Sequence, residues 1–148
     1  MNDFAELSKK LGLLEIYTLE KYPESRHLRN GKVERVHYRN AYKDQLEQKH
    51  PFNQIDWDNA PFNNFSTLMK SPPKPLIEED DVLKFGNAET VADWGSFIDS
   101  FRQLRNNITH GAKFFDSLHL ERRDEELIKA GLTFIDFLDE EFFLNLGG

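Results

Sequence analysis

The sequence predicts an all-α protein, a bundle of four to five helices with a long irregular insertion in its middle. Three observations carry that expectation. Segments near both ends of the chain place large apolar side chains at steps of three and four, the period of a one-sided helix. The proline- and asparagine-rich stretch between them still carries large apolar groups. With 148 residues and no cysteine, the fold must rest on a buried core, since neither a disulfide framework nor a thiolate-ligated zinc site can be built.

Taken in order, the first element is a helix with Phe4, Leu7, Leu11 and Leu14 on one side, Asn2 or Asp3 as its cap and Pro23 just beyond its end. The segment VERVHYRNAYKDQLEQK reads as a second helix, because Val33, Val36, Tyr42 and Leu46 roughly share a side; the preceding RNGK is also a hairpin turn signal. Residues 51–75 are rich in Pro and Asn, yet contain Phe52, Trp57, Phe62, Phe65 and Leu68. Such groups predict an ordered excursion packed on the bundle. The charge run IEEDD reads as a solvated loop, so that 51–87 together form a connector.

The clearest helix lies in ETVADWGSFIDSFRQLRNNITHG, with Val91, Trp94, Ile98, Phe101, Leu104 and Ile108 in one stripe. Thr90 or Asn87 is the expected cap, and Gly111 suits the left-handed turn that ends a helix. The last helix, in RDEELIKAGLTFIDFLDEEFFLNL, has a stripe of Leu127, Gly131, Phe134 and Leu138 flanked by Ile128, Ile135 and Phe142. Asp124, Glu125 and Glu126 occupy its first turn, where the helix dipole favours anions. A single domain over residues 1–148 follows, most strongly patterned over 88–145, with no internal repeat.

The net charge of −7 is unevenly spread. Residues 124–148 hold seven acids and one Lys, whereas residues 25–39 hold five Lys/Arg and only Glu34. Residues 96–123 hold five Lys/Arg against three acids. A positive strip on an acidic body is the expectation. The early acidic residues are unlike a leader sequence, and no apolar run approaches the ~18 residues of a membrane span, so a soluble, cytoplasmic protein is expected. His27, His37, His50 and His119 show no metal-ligand spacing, the loop carboxylates Asp56, Asp58 and Glu78 to Asp81 read as solvated, and no metal or cofactor is expected. Phosphate-loop, nucleophile-elbow and dinucleotide fingerprints are absent.

What stands out chemically is FRQLRNNITHGAKFF, where Arg105 precedes His110 by five positions at the end of a helix. Asn106 and Asn107 between them are poor helix-interior residues, which points to polar contacts within the chain, to a partner or to a ligand. The set suits cleavage of RNA by its own 2′-hydroxyl: a histidine moves a proton near neutral pH, an arginine meets the charge building on the phosphoryl oxygens, and an asparagine orients them. The plain alternative is an ion pair at Arg105 and a hydrogen bond from His110 to the last helix carbonyls. Arg102, one turn before Asn106, and Lys113, just after the motif, are second-rank RNA contacts with Asn107. Arg29 and Arg35 represent the positive strip. Most aromatic residues fall at core spacing; Tyr38 and Tyr42, beside the strip, are the better base-stacking candidates.

The stretch LRNNITHGAKF, Leu104 to Phe114, closely resembles the signature of the HEPN superfamily, in the branch that reads Arg-Asn-Asn, two residues, His-Gly. ERRDEELIKAGLTFIDFL is similar to the acid-capped helix that follows the motif there, and KSPPKPL to a proline-containing connector. The resemblance covers the C-terminal third well and the middle loosely; before about residue 65 only helical character matches. It implies a HEPN-like bundle and a metal-independent endoribonuclease with Arg105, Asn106 and His110 as catalytic residues, of the kind found among toxins and effectors of antiviral defence and toxin–antitoxin systems. A homodimer with both motifs in one interface cleft, and an antitoxin partner, are further implications. The superfamily also contains inactive modules that bind RNA or a protein partner as regulators, which is the alternative reading. An unrelated helical interaction protein is the third.

Overall fold

The computed structural model of the chain describes residues 3–110 and 122–147. Five α-helices are found among the described residues: α1 (Asp3–Lys21), α2 (Tyr38–Lys49), α3 (Thr67–Lys70), α4 (Trp94–His110) and α5 (Arg122–Phe142). The mostly helical architecture agrees with the expectation, and two small antiparallel hairpins are added to it, β1 (Arg26–Arg29) with β2 (Lys32–Val36), and β3 (Leu76–Glu79) with β4 (Val82–Phe85). α5 packs on α1, α3 and α4, and α2 packs on α4.

The three long helices follow their apolar stripes. Leu7, Leu11 and Leu14 of α1 are buried, as are Trp94, Ile98, Phe101, Leu104 and Ile108 of α4 and Leu127, Phe134 and Leu138 of α5. The Lys10 ammonium donates to Asp136 at 2.8 Å, tying α1 to α5 on the surface. Gly131 lies where α5 meets α4 and α1: a Cβ there would stand 2.7 Å from Leu104 and 3.3 Å from Leu7. Glycine costs about 1 kcal/mol of helix propensity against alanine, and this close approach is what it permits. The start of α4 is shifted from the expected Thr90 or Asn87 to Asp93, whose carboxylate accepts from the Ser96 N–H at 2.7 Å while Ser96 Oγ accepts from the Asp93 N–H at 3.1 Å. That reciprocal pair is a capping box, and it leaves Val91 ahead of the helix. Gly111 lies outside the described residues.

The expected helix beginning at Val33 is two elements. Asn30 and Gly31, with φ of 53° and 76°, make the left-handed turn that the twist of a two-residue hairpin requires. The pairing Leu28 with Val33 and Arg29 with Lys32 follows, and the helix begins only at Tyr38. Its true stripe is Tyr38, Ala41, Tyr42 and Leu46, all buried. The hairpin base is closed by the His37 N–H donating to the Ser25 carbonyl at 2.6 Å.

IEEDD is likewise part of a hairpin, not a solvated loop: Ile77, Glu78 and Glu79 end β3, and the two aspartates make the turn. Asp80 and Asp81 both have positive φ, 53° and 61°, and stand where an Asn-Gly pair usually does. The hairpin is largely exposed, Val82 and Leu83 included. Because aspartate pays a steric cost in the left-handed region that glycine does not, Asp81→Gly should stabilise the hairpin by roughly 0.5 kcal/mol. Slower amide exchange at Val82 and Leu83 is the expected readout; faster exchange would show that the turn depends on the Asp81 side chain.

The excursion at 51–75 is packed as expected. Phe52, Phe65 and Leu68 are buried, and the Trp57 ring stacks on Phe97 at 5.5 Å between centroids. α4 holds the connector from behind: Ser100 Oγ donates to the Leu68 carbonyl at 2.6 Å, and Asn107 Nδ2 to the Lys74 carbonyl at 2.9 Å. No helix among the described residues is long and apolar enough to cross a membrane.

Candidate active site on the fourth helix

With its back anchored in the core, α4 turns Arg102, Arg105 and Asn106 to one side, at the spacing of three and four that shares a helix face. Across from them stand Glu15 of α1, Glu34 and Arg35 of β2, and Tyr38, the first residue of α2. These groups enclose a cavity of about 60 Å³. Arg102 and Asn106 also border a larger cleft of about 220 Å³, whose opposite wall is the proline connector at Pro72, Pro73 and Pro75. One stretch of helix therefore lies between a smaller and a larger cleft, and Arg102 and Asn106 line both.

The charges are arranged unequally. Arg105 Nη2 donates to both Glu15 oxygens, at 3.2 and 3.3 Å, and Nη1 makes a long 3.4 Å contact with Asn106 Oδ1. The plain alternative at Arg105, an ion pair, is thus present, and it also orients the guanidinium toward Asn106. The Arg102 and Arg35 side chains make no hydrogen bond or ion pair with the described residues. Glu34 is already shared by Arg29 and His27, at 3.5 and 3.4 Å. In the groove, Asp99 is held by a two-pronged contact from Arg39, at 2.9 and 2.8 Å. Glu15, Glu34 and Asp99 therefore each have a cation, and among the described residues the Arg102 and Arg35 guanidiniums have no carboxylate within ion-pair distance.

Several expected site residues fall elsewhere. Asn107 is buried, its Oδ1 accepting from Gln103 at 2.8 Å while its amide holds Lys74. The second-rank RNA contact expected there is corrected to a structural tie: one position after Asn106 the helix has turned by ~100°, which carries the side chain from the cavity to the connector. Arg29 lies on the exposed hairpin and is not itself a lining residue of the cavity; it reaches the site only through Glu34, at 3.5 Å. Tyr38 and Tyr42 are 3% and 1% exposed, which corrects the base-stacking expectation, since neither ring has a free face. Position 110 lies one turn after Asn106 on α4, and the His110 side chain and the whole of Lys113 lie outside the described residues.

The sequence pattern did not reveal a histidine pair beside the cavity. His37 Nε2 and His27 Nδ1 are 3.1 Å apart, one nitrogen donating to the other. Burial, then Arg35, His27 and Arg102, hold the His37 pKa below the usual imidazole range, so this ring is neutral at physiological pH. Cross-strand pairing of His27 with Arg35 brings the group together, and no spacing of two or four positions marks it in sequence. Among the described residues no three His, Asp or Glu side chains are gathered closely enough to hold a metal ion.

Comparison of the chain with family models, with curated proteins and with solved structures finds no match.

Proposed function

We propose that the chain is a HEPN-type endoribonuclease that cleaves RNA by attack of the 2′-hydroxyl on the adjacent phosphate. The observation that carries this reading is the Arg105–Asn106 pair, held in contact at the wall of a cation-lined cavity one turn before position 110. In the reaction a base takes the 2′-hydroxyl proton, the O2′–P bond forms and the P–O5′ bond breaks. An acid then protonates the leaving 5′-oxygen. His110 supplies one of these proton transfers, Arg105 stabilises the charge on the non-bridging oxygens, and Asn106 positions the guanidinium. The chemistry leaves a 2′,3′-cyclic phosphate on one product and a 5′-hydroxyl on the other. End analysis of RNA cut by the purified protein in the presence of a chelator tests this, and 5′-phosphate products would overturn it. On this reading the protein acts in the cytoplasm, as a toxin or defence effector, with an antitoxin as its natural protein partner.

The same reading makes the working unit a homodimer, since one chain supplies one motif histidine and the mechanism moves two protons. Sedimentation at micromolar concentration should give a dimer. Mixing inactive His110→Ala and Arg105→Ala protomers should restore part of the activity if one histidine and one arginine drawn from different chains suffice for a cleft, and none if both histidines are required. Full activity from a monomer would rule out the shared cleft. The runner-up, a regulatory module that binds RNA or a protein without cutting, draws on the Glu15 carboxylate already seated on Arg105.

A further inference from the structure

The cavity beside Arg105 holds donors that lack an acceptor. Tyr38 Oη is buried, and it is the one buried side-chain polar atom among the described residues that has no hydrogen-bond partner. Tyr38 is itself one of the residues that line the cavity, together with Glu15, Arg102 and Arg105. Burial keeps the phenol protonated, so it is available as a donor across the physiological range. Tyr38 also opens α2, a helix with no side-chain cap and no acid in its first turn, so the positive end of that helix dipole is uncompensated at the same place. Arg102 and Arg35 add two guanidiniums without carboxylate partners among the described residues, where Glu15 is taken by Arg105 and Glu34 by Arg29 and His27. A volume of about 60 Å³ admits roughly four to five water-sized groups, the size of a tetrahedral oxyanion.

We propose that this cavity is an oxyanion subsite that takes one phosphate group, with Tyr38 Oη donating to one oxygen and Arg102 and Arg35 neutralising its charge. The identity of the phosphate rests on the ribonuclease reading: it belongs to the nucleotide next to the one being cut, and its capture fixes the register of the strand over Arg105. A free or terminal phosphate offers the same chemistry. Arg105 itself stays with Glu15 and the scissile group.

Inorganic phosphate, titrated against chloride of matched ionic strength and followed by thermal unfolding, probes the cavity without RNA or cleavage. The wild-type midpoint should rise with phosphate concentration as for a ligand that binds only the folded chain. Tyr38→Phe keeps the ring against Phe101 and loses only the unpartnered hydroxyl, so it should match or exceed wild-type stability in phosphate-free buffer. Its phosphate affinity should fall at least about tenfold, and that of Arg102→Gln similarly. Equal stabilisation of wild type and Tyr38→Phe by phosphate, or no stabilisation of the wild type beyond chloride, would overturn the subsite. Binding of short RNA with 5′-phosphate or 5′-hydroxyl ends separates the sources. A 5′-phosphate preference lost in Tyr38→Phe marks a terminal group, equal weakening of both oligonucleotides marks an internal one, and affinities untouched by Tyr38→Phe count against either. A chain that binds phosphate in this way yet never cuts RNA would retain the subsite and end the ribonuclease reading.

Discussion

His110→Ala and Arg105→Ala each reduce RNA cleavage to background, a loss on the order of 10² to 10⁴-fold, while the helical signal of the protein is unchanged. The expectation follows from the division of labour at the end of α4. Removing the imidazole takes away a proton-transfer group; removing the guanidinium takes away the charge that meets the phosphoryl oxygens. Arg105→Ala also strands the Glu15 carboxylate, now paired at 3.2 Å in a site about one-quarter to one-third exposed, so a stability loss of about 1 kcal/mol accompanies it. Urea unfolding separates that small cost from the catalytic one. The wild-type rate should bend between pH 5 and 8, where imidazole changes its charge, and should persist in chelator. Wild-type cleavage by folded His110→Ala protein would remove histidine from the chemistry. A requirement for added magnesium would move it to carboxylates such as Asp56 and Asp58.

Much of this site was legible before the fold was known, and what was not has a physical cause. Arg102, Arg105 and Asn106 lie on one helix, so their common face follows from the period of α4 alone. Glu15 and the Tyr38 hydroxyl come from elements 90 and 67 positions before Arg105, and only the packing of α1 and α2 brings them to it. Adjacent asparagines look equivalent in a string of letters; on a helix they are ~100° apart, so Asn106 lines the clefts while Asn107 is buried against the connector. The framework shows the same division. The stripes of α1, α4 and α5 are long and bury one side, so their period survives in the sequence. The hairpins bury little: Leu28, Val33, Val82 and Leu83 are all exposed, and no inward-facing alternation marks their strands. In the first hairpin the Asn30–Gly31 signal competed with an apparent helical period across Val33 and Val36. In the second, two aspartates took the left-handed positions where the pattern calls for Asn-Gly, and the charge run concealed the turn.

Phe134→Ala should be the most destabilising single truncation in the chain. The residue is 1% exposed on α5, and its ring lies 4.9 Å from Phe97, 5.1 Å from Phe101, 5.3 Å from Phe65 and 6.2 Å from Phe137 between centroids. Those partners come from α4, from the packed connector and from α5 itself, so one ring joins three parts of the fold. Truncation removes the transfer free energy of a buried benzyl group and leaves a cavity among stiff aromatic rings that close on it poorly, a cost of about 3–5 kcal/mol. For a domain of this size that is a large share of the whole stability, and it should lower the midpoint of thermal unfolding by on the order of 10 °C. Phe143→Ala is the control: at 84% exposure its removal should shift stability by less than about 0.5 kcal/mol. The consequence reaches the site, because Phe101, which loses a neighbour, also carries the ring of Tyr38 at 5.9 Å. A loosened Phe101 lets Tyr38 move at the cavity wall, so Phe134→Leu, which keeps most of the volume, should retain more phosphate affinity than Phe134→Ala at a temperature where both remain folded. A loss below about 1 kcal/mol in Phe134→Ala would mean that the three parts are joined elsewhere and that the aromatic cluster is not what holds α4 against α5.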